Sequence, residues 1–313
     1  IRAMTGTSGG GFALMVEGLS LAAMTETPIV IALAQRPGPA TGLPTRTEQG
    51  DLLFALHAGH GEFPRVIFAP GTPEQAFLLT NKAFDLAQKY QIPVFILIDQ
   101  YLSDSQWTYD GFNLNKLTLT DWRATESELE GVKDYKRHFL TDHGISPFAR
   151  PGTSRHLVVT DSDEHDEDGH LIEDAATRVQ MVDKRLFRKM PLIRSEITPP
   201  VFYGNSRPDI ILTGWGSTYG IMKEAVNILS ETTKVAMLHF SEIFPFPSSQ
   251  ELDYLEILGK ANMTIIVEQN ASSQFARLMK TETGFEFTGK INRYDGRPFL
   301  VEELLGEISA YIG

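Results

Sequence analysis

Two glycine-rich segments carry the residue types best suited to chemistry. One runs Gly6-Thr7-Ser8-Gly9-Gly10-Gly11-Phe12; the other, one strand later, runs Gln35-Arg36-Pro37-Gly38-Pro39-Ala40-Thr41-Gly42-Leu43-Pro44-Thr45. Each follows an apolar or β-branched stretch and lacks bulky side chains where the strands of an α/β sheet end, so a ligand can approach backbone amides there. Within the second, Arg36 stands between a strand end and a Pro-Gly loop. A guanidinium held in that way suits bidentate capture of a carboxylate or phosphate; the alternative is a surface arginine paired to a neighbouring acid. Thr41, Thr45 and Arg46 offer further donors to the same anion site.

Other spacings are less apt. Gly6-Thr7-Ser8-Gly9-Gly10 meets the Gly-x-Ser-x-Gly spacing of a hydrolase nucleophile elbow, but three glycines after the serine suit close ligand approach more than a strained elbow. Neither Gly6 to Gly11 nor Gly214 to Gly220 fits the dinucleotide pattern Gly-x-Gly-x-x-Gly, and tight packing of strand on helix accounts for such glycines equally well. His57 reads as structural, whereas His60, flanked by Gly59 and Gly61, is expected near the active-site edge as an acid-base group. The acidic run Asp161 to His170 misses the glycine and glutamate offsets of a calcium loop and reads as a solvated arm or subunit contact, so no metal site is assigned.

These residues need a scaffold, and the hydrophobic pattern supplies one. Expected strands Arg2 to Thr5, Pro28 to Ala34, Arg65 to Ala69 and Pro93 to Asp99 alternate with expected helices Phe12 to Thr25, Asp51 to His57 and Glu74 to Tyr90, the βαβ rhythm of a parallel sheet. Thr72 is placed to cap the third helix and Pro73 suits its first turn. From Gln100 to about Pro208 the alternation fails and charged and turn residues dominate, so this stretch is expected to be a long arm with a helix over Asp174 to Lys189. A second βα series then begins: strands Asp209 to Thr213, Lys234 to His239 and Met263 to Val267, helices Tyr219 to Ser230, Ser249 to Lys260 (capped near Ser248), Ser273 to Thr281 and Leu300 to Tyr311. The fold class is therefore α/β, with two parallel-sheet domains joined by a polar arm.

With 313 residues a sizeable core is easily buried, and 40 acidic against 28 basic side chains leave a formal charge of -12, which argues against nucleic-acid or anionic-membrane binding and for small substrates and protein partners. The absence of cysteine excludes disulfides, a thiolate nucleophile and a cysteine-held iron-sulfur cluster on this chain. No run of about twenty apolar residues occurs and no basic-then-apolar leader opens the chain, so the cytoplasm is the default location. The first residues already read as a strand beside the glycine turn, and an N-terminal part of the first domain is expected to be missing.

Taken in order, Thr5 to Met15, Glu26-Thr27-Pro28, Gln35 to Thr45, Gly59-His60-Gly61-Glu62, Gly214-Trp215-Gly216-Ser217 and Val267-Glu268-Gln269-Asn270 resemble the alpha subunit of 2-oxoacid:ferredoxin oxidoreductases, most of all the 2-oxoglutarate type. The resemblance covers nearly the whole chain. It implies a thiamine diphosphate pyrimidine-type domain over residues 1–105, a connecting arm over 106–207 and a transketolase C-terminal-like domain over 208–313. It implies oxidative decarboxylation of a 2-oxoacid to acyl-coenzyme A and carbon dioxide, with ferredoxin as electron acceptor. A beta subunit would supply Mg2+, the diphosphate side of the cofactor and the iron-sulfur cluster, and further small subunits are compatible with it. Arg36 matches the family arginine that holds the 2-oxoacid carboxylate, and Thr7, Ser8, Gly9 and Gly10 would lie by the cofactor. The family's upstream Tyr-Pro-Ile-Thr-Pro stretch and the glutamate that activates the cofactor are absent from these residues, so the chain by itself is expected to be inactive. Two other classes remain open: a noncatalytic α/β assembly subunit with Arg36 merely paired, and a nucleotide-binding electron-transfer subunit using Gly214 to Gly220.

Overall fold

A computed structural model of the chain describes residues 2–117 and 119–312. In its first part, β1 (Met4–Ser8), α1 (Gly9–Ala13), α2 (Val16–Met24), β2 (Ile29–Gln35), α3 (Leu52–His57), β3 (Val66–Phe68), α4 (Pro73–Tyr90) and β4 (Pro93–Asp99) follow one another. The arm carries α5 (Gln100–Asp104), α6 (Glu126–Glu130), α7 (Ala175–Val182), a π-helical stretch (Asp183–Arg188), α8 (Lys189–Ser195) and β5 (Val201–Gly204). Then come β6 (Ile210–Trp215), α9 (Tyr219–Leu229), β7 (Val235–Phe240), β8 (Glu242–Phe244), α10 (Tyr254–Lys260), β9 (Met263–Glu268), α11 (Gln274–Thr283), β10 (Gly289–Asn292) and α12 (Val301–Ile312).

Among the described residues the strands form two five-stranded sheets, ordered β1-β2-β4-β3-β8 and β10-β9-β6-β7-β5. Both are parallel except at one edge, where β8 runs antiparallel to β3 and β5 antiparallel to β7. The α/β expectation therefore holds, with one addition: each sheet is closed by a strand from the other side of the chain's expected divisions. The three-residue β8 and the four-residue β5 are too short to show a period-2 pattern.

Alternation along the strands decides which helix covers which face. Val30, Val66, Phe68, Val94 and Ile96 point to α4 and α8, where Leu79, Ala83, Leu86 and Ile193 are buried, with Ile197 just beyond α8. Ile31, Leu33, Ile67, Phe95 and Leu97 point the other way, to Phe12, Leu19, Leu52 and Ala55. That second cluster runs without a break into Trp215, Leu238, Phe240, Ile266 and Phe275 of the second sheet, so the two sheets share a core. Each such large side chain, fully buried, contributes about 1.5–3 kcal/mol, which makes the union of the sheets far stronger than any single polar contact across it.

Local signals behave unevenly. The Thr72 side chain caps α4 by accepting from Gln75 N at 3.1 Å, and Pro73 occupies the first turn. The expected cap near Ser248 is displaced: α10 begins five residues later than Ser249, capped by Asp253, whose Oδ1 accepts from Glu256 N at 2.9 Å. Pro245 and Pro247 precede it, and the Tyr254 hydroxyl bonds the Pro247 carbonyl at 2.5 Å, which folds residues 248–252 into a turn of their own. The first strand is also longer than expected. Gly6, Thr7 and Ser8 pair with Ala32, Leu33 and Ala34, so the chain passes from strand to helix at Gly9 with no intervening loop. The helix expected over Phe12 to Thr25 is broken at Leu14 and Met15 into α1 and α2.

Among the described residues no helix is long and apolar enough to cross a membrane.

Candidate active site

The C-terminal edges of the two sheets face each other, and the seam between them is polar. Gln35 ends β2 in register with Asp99, the last residue of β4. The buried Asp99 carboxylate accepts from Ser217 Oγ at the end of β6 and from Leu102 N at 3.0 Å, while burial pushes its pKa up against those donors. Ser217 Oγ also lies 3.3 Å from Gln269 Oε1, just beyond β9. Glu268 is wholly buried; Trp215 Nε1, Asn270 Nδ2, Phe275 N and Ala276 N donate to it at 2.8–3.1 Å, opposing the upward push of burial. Through Phe275 and Ala276 it satisfies the first turn of α11, a task that Ser273, with φ 50°, leaves undone.

The segment Gln49–Leu53 is stapled across this seam. Gln49 N donates to Gln269 O at 2.7 Å, Gln269 N to Gln49 Oε1 at 2.9 Å, and Gln49 Nε2 to Trp215 O at 2.7 Å. Gln274 of α11 holds both sides of Asp51, donating to Gly50 O at 2.7 Å and accepting from Leu53 N at 2.9 Å. Asp51 N in turn donates to Gln35 Oε1 at 3.1 Å. The second sheet thus fixes the backbone of Asp51 from one side and β2 fixes it from the other.

What is held there is unusual. Asp51 occupies the N-cap position of α3 yet makes no side-chain cap bond. Its carboxyl instead packs on Gly9: a Cβ built at Gly9 would stand 2.9 Å from Oδ2 and 3.0 Å from Oδ1. Oδ2 is buried without a hydrogen-bond partner, and so is Nε of the half-buried Arg36. Burial pushes the Asp51 carboxyl up to about 6 against the pull of the Arg36 guanidinium. Glu48 is also raised, by its own burial and then by the Asp51 charge. Two side chains of opposite charge therefore converge on one edge with polar atoms unspent.

The glycine turn completes that edge. A Cβ on Gly11 would meet Thr7 Oγ1 at 2.1 Å, and a Cβ on Gly10 would stand 4.0 Å from Ala40 O, so the start of α1 faces the loop that carries Arg36. The Thr7 hydroxyl bonds the Ser8 carbonyl at 3.3 Å. Thr7, Ser8, Gly9, Gly10 and Arg36 are thus brought together. Thr41 is exposed at the loop tip, where Ala40 and Gly42 take left-handed backbone and Leu43 N closes on Pro37 O at 3.0 Å. Arg46 is exposed, its stem against Gly296 of the second sheet's β10 side.

His60 is a correction. It lies between α3 and β3, which places it at the N-terminal ends of the strands, opposite Arg36, where its backbone N–H bonds Ser20 Oγ at 3.0 Å. Its flanking glycines serve positive φ values of 87° and 78°, a turn requirement rather than ligand approach. The stretch Gly214 to Gly220 is likewise filled: Gly216, Ser217 and Thr218 are buried, and a Cβ on Gly71 would stand 2.4 Å from Gly216 O, so backbone and not nucleotide occupies that turn. Asp51 and Gln49 were not singled out from sequence, because an aspartate before an apolar helix reads as an ordinary cap.

Residues 1–184 match the family described as "Pyruvate flavodoxin/ferredoxin oxidoreductase, thiamine diP-bdg". The chain belongs to that family. It is 39% identical over 310 residues to the alpha subunit of 2-oxoacid:ferredoxin oxidoreductase 1 of Sulfurisphaera tokodaii, an alignment covering 97% of this chain and 48% of that one. It is 28% identical to the 2-oxoglutarate synthase subunit KorA of Methanothermobacter thermautotrophicus, over 98% of this chain and 80% of that one. Among solved structures, 2-oxoglutarate:ferredoxin oxidoreductase from Magnetococcus marinus, with 2-oxoglutarate, coenzyme A and succinyl-CoA bound, superposes with a TM-score of 0.89 at 32% identity, covering all of this chain and 53% of that one. The chain spans about half the length of the first three curated relatives it matches.

The residues present fit one side of the family's cofactor site. The run Gly9 to Gly11 is uncharged, Gly10 is exposed with nothing nearer its Cβ position than Ala40 O at 4.0 Å, and the loop across from it begins at Arg36, whose Nε is unpartnered. Among the described residues no group of three or more His, Cys, Asp or Glu could hold a metal ion.

Proposed function

We propose that this chain forms the substrate-carboxylate and cofactor-pyrimidine side of a 2-oxoacid:ferredoxin oxidoreductase, working with a beta subunit that carries Mg2+, the diphosphate side and an iron-sulfur cluster. The reaction is oxidative decarboxylation of a 2-oxoacid to acyl-coenzyme A and carbon dioxide, with electrons passing to ferredoxin. The observation that carries the reading is Arg36. It follows the last residue of β2, on the loop that faces the glycine turn, and its buried Nε is without a partner.

Thiamine diphosphate, when bound, stabilises the carbanion left by loss of carbon dioxide. This chain's part is to place and charge-match the substrate. Arg36 holds the carboxylate with N–H donors in a fork geometry, so the 2-oxo carbon is presented toward the turn Thr7 to Gly10. The shared core and the Gln49 and Gln274 staples hold the two sheet edges at a fixed spacing and keep bulk water from the seam. We take 2-oxoglutarate as the substrate because the similar solved enzyme binds it and a similar subunit is named for it. Arg46 and Thr41 are both exposed on the same loop, which supports assigning them to the distal carboxylate.

The test is coenzyme-A-dependent dye reduction by the full-length protein assembled with its beta subunit, comparing 2-oxoglutarate with pyruvate. Turnover that Arg46→Ala weakens for 2-oxoglutarate alone supports the substrate assignment. Equal rates with both acids, unchanged in Arg46→Ala, refute it, and no turnover with any 2-oxoacid refutes the function.

A further inference from the structure

The carboxyl of Asp51 has no task in the fold. It stands at a helix N-cap and does not cap, its Oδ2 is buried without a partner, and Gln274 fixes the backbone around it at Gly50 O and Leu53 N. It presses on Gly9, at the turn that faces the loop carrying Arg36. An ionised, desolvated carboxylate in that place would repel an anionic ligand arriving at the guanidinium, whereas the neutral acid would not repel it and carries a donor.

We propose that Asp51 is a second carboxylate-site residue, which takes up a proton as the 2-oxoacid anion binds to Arg36 and donates a hydrogen bond to it through Oδ2. This rests on the reading of Arg36 given above. The balance is simple: one proton from solvent joins the Asp51 carboxylate, one anion joins the site, and no covalent bond of the ligand changes. The groups that face Asp51 set the direction. Arg36, at the end of β2, favours the ionised form; Glu48, on its own segment, and burial favour the neutral one. Gly9 of α1 and Gln274 of α11 bring no charge. With the carboxyl pushed up to about 6 in the free site, it is already close to neutral solution, and a bound anion beside it raises it further.

The consequence is binding that weakens as pH rises. If only the neutral acid admits the anion, affinity falls up to about tenfold per pH unit above about pH 6. Oxalate, which mimics the carboxylate and 2-oxo oxygen of a 2-oxoacid but has a carboxylate in place of the electrophilic ketone, isolates this step. Calorimetric titration of oxalate into the assembled enzyme at about pH 7.5, in two buffers of different ionisation enthalpy, is expected to show uptake of close to one proton per ligand. Asp51→Asn keeps a donor of the same shape, and is expected to bind oxalate within about threefold of wild type, without proton uptake and with flat affinity between about pH 6.5 and 8. Wild-type binding without proton uptake overturns the proposal, as does uptake that persists in Asp51→Asn. Should Asp51→Asn fail to assemble, wild-type uptake alone decides. Oxalate binding that survives Arg36→Ala overturns a different claim, the placement of the carboxylate on Arg36.

Discussion

Gly9→Ala adds one methyl group where the Asp51 carboxyl now sits. The new Cβ would stand 2.9 Å from Oδ2, and ordinary contact begins near 3.4 Å, so the oxygen must retreat by at least about 0.5 Å (3.4 − 2.9). Gln35 and Gln274 pin the backbone on both sides, which leaves rotation of the carboxyl as the available relief. Overpacking of this kind costs about 1–3 kcal/mol. Against it stands the better helix propensity of alanine, worth at most about 1 kcal/mol at an interior position and less in the first turn of α1. In global stability the second offsets only part of the first, so a modest fall in melting temperature is expected. In the site there is no such offset, because propensity does nothing to return the carboxyl to its place beside Arg36. KM for the 2-oxoacid is expected to rise about tenfold, equivalent to about 1.4 kcal/mol. Steady-state kinetics of the assembled enzyme read this directly, and Asp51→Ala gives the control. If the methyl acts by displacing the carboxyl, Gly9→Ala adds nothing further to KM in an Asp51→Ala background. An unchanged KM in Gly9→Ala, or a full additional loss in the double variant, refutes the reasoning.

Two further perturbations test the frame around the site. Glu26 is buried where α2 meets β2 and receives Lys184 and Lys189, both almost inaccessible, together with His138 at 3.2 Å; against the upward push of burial, the two lysine charges and then the hydrogen bond with His138 hold its carboxyl well below the usual range. Glu26→Gln strands two buried lysines at a cost of about 3–5 kcal/mol, a fall in melting temperature of roughly 6–10 °C that Lys184→Met should partly restore; a fall under about 2 °C contradicts it. Gly71→Ala would drive a Cβ to 2.4 Å from Gly216 O and 2.6 Å from Tyr219 Cβ, atoms that cannot swing aside. Thermal melts should drop by roughly 3–6 °C, and an unchanged melt would show that the β6 turn yields freely.

Much of the scaffold is legible in the residues. The β2 to β4 rhythm, the Thr72-Pro73 start of α4 and the strand-end position of Arg36 all follow from local pattern, because each depends on neighbours within a few residues. The pieces that are not legible depend on distant partners. β8 is three residues whose role is set by pairing with β3, some 175 residues earlier in the chain (242 − 67). Asp51 carries a cap-like signature, and only the meeting of β1, β2 and α11 turns its carboxyl toward Gly9. His60 misleads for the complementary reason: glycines beside a histidine suit a ligand turn and a positive-φ connection equally, and the topology sends it to the far end of the sheet. The aspartate at Asp253 caps the helix in place of Ser248 because the Tyr254 hydroxyl, bonded to the Pro247 carbonyl, folds residues 248–252 into a turn ahead of it.

The central claim is that Arg36 binds the substrate carboxylate. Its most direct test is release of labelled carbon dioxide from carboxyl-labelled 2-oxoglutarate by the enzyme assembled with its beta subunit, with wild type, Arg36→Lys and Arg36→Ala compared. Loss of a charge-assisted, forked contact of about 2–4 kcal/mol predicts a fall in kcat/KM of about 30- to 1000-fold for Arg36→Ala, with Arg36→Lys in between. A kcat/KM for Arg36→Ala within about threefold of wild type would contradict the account.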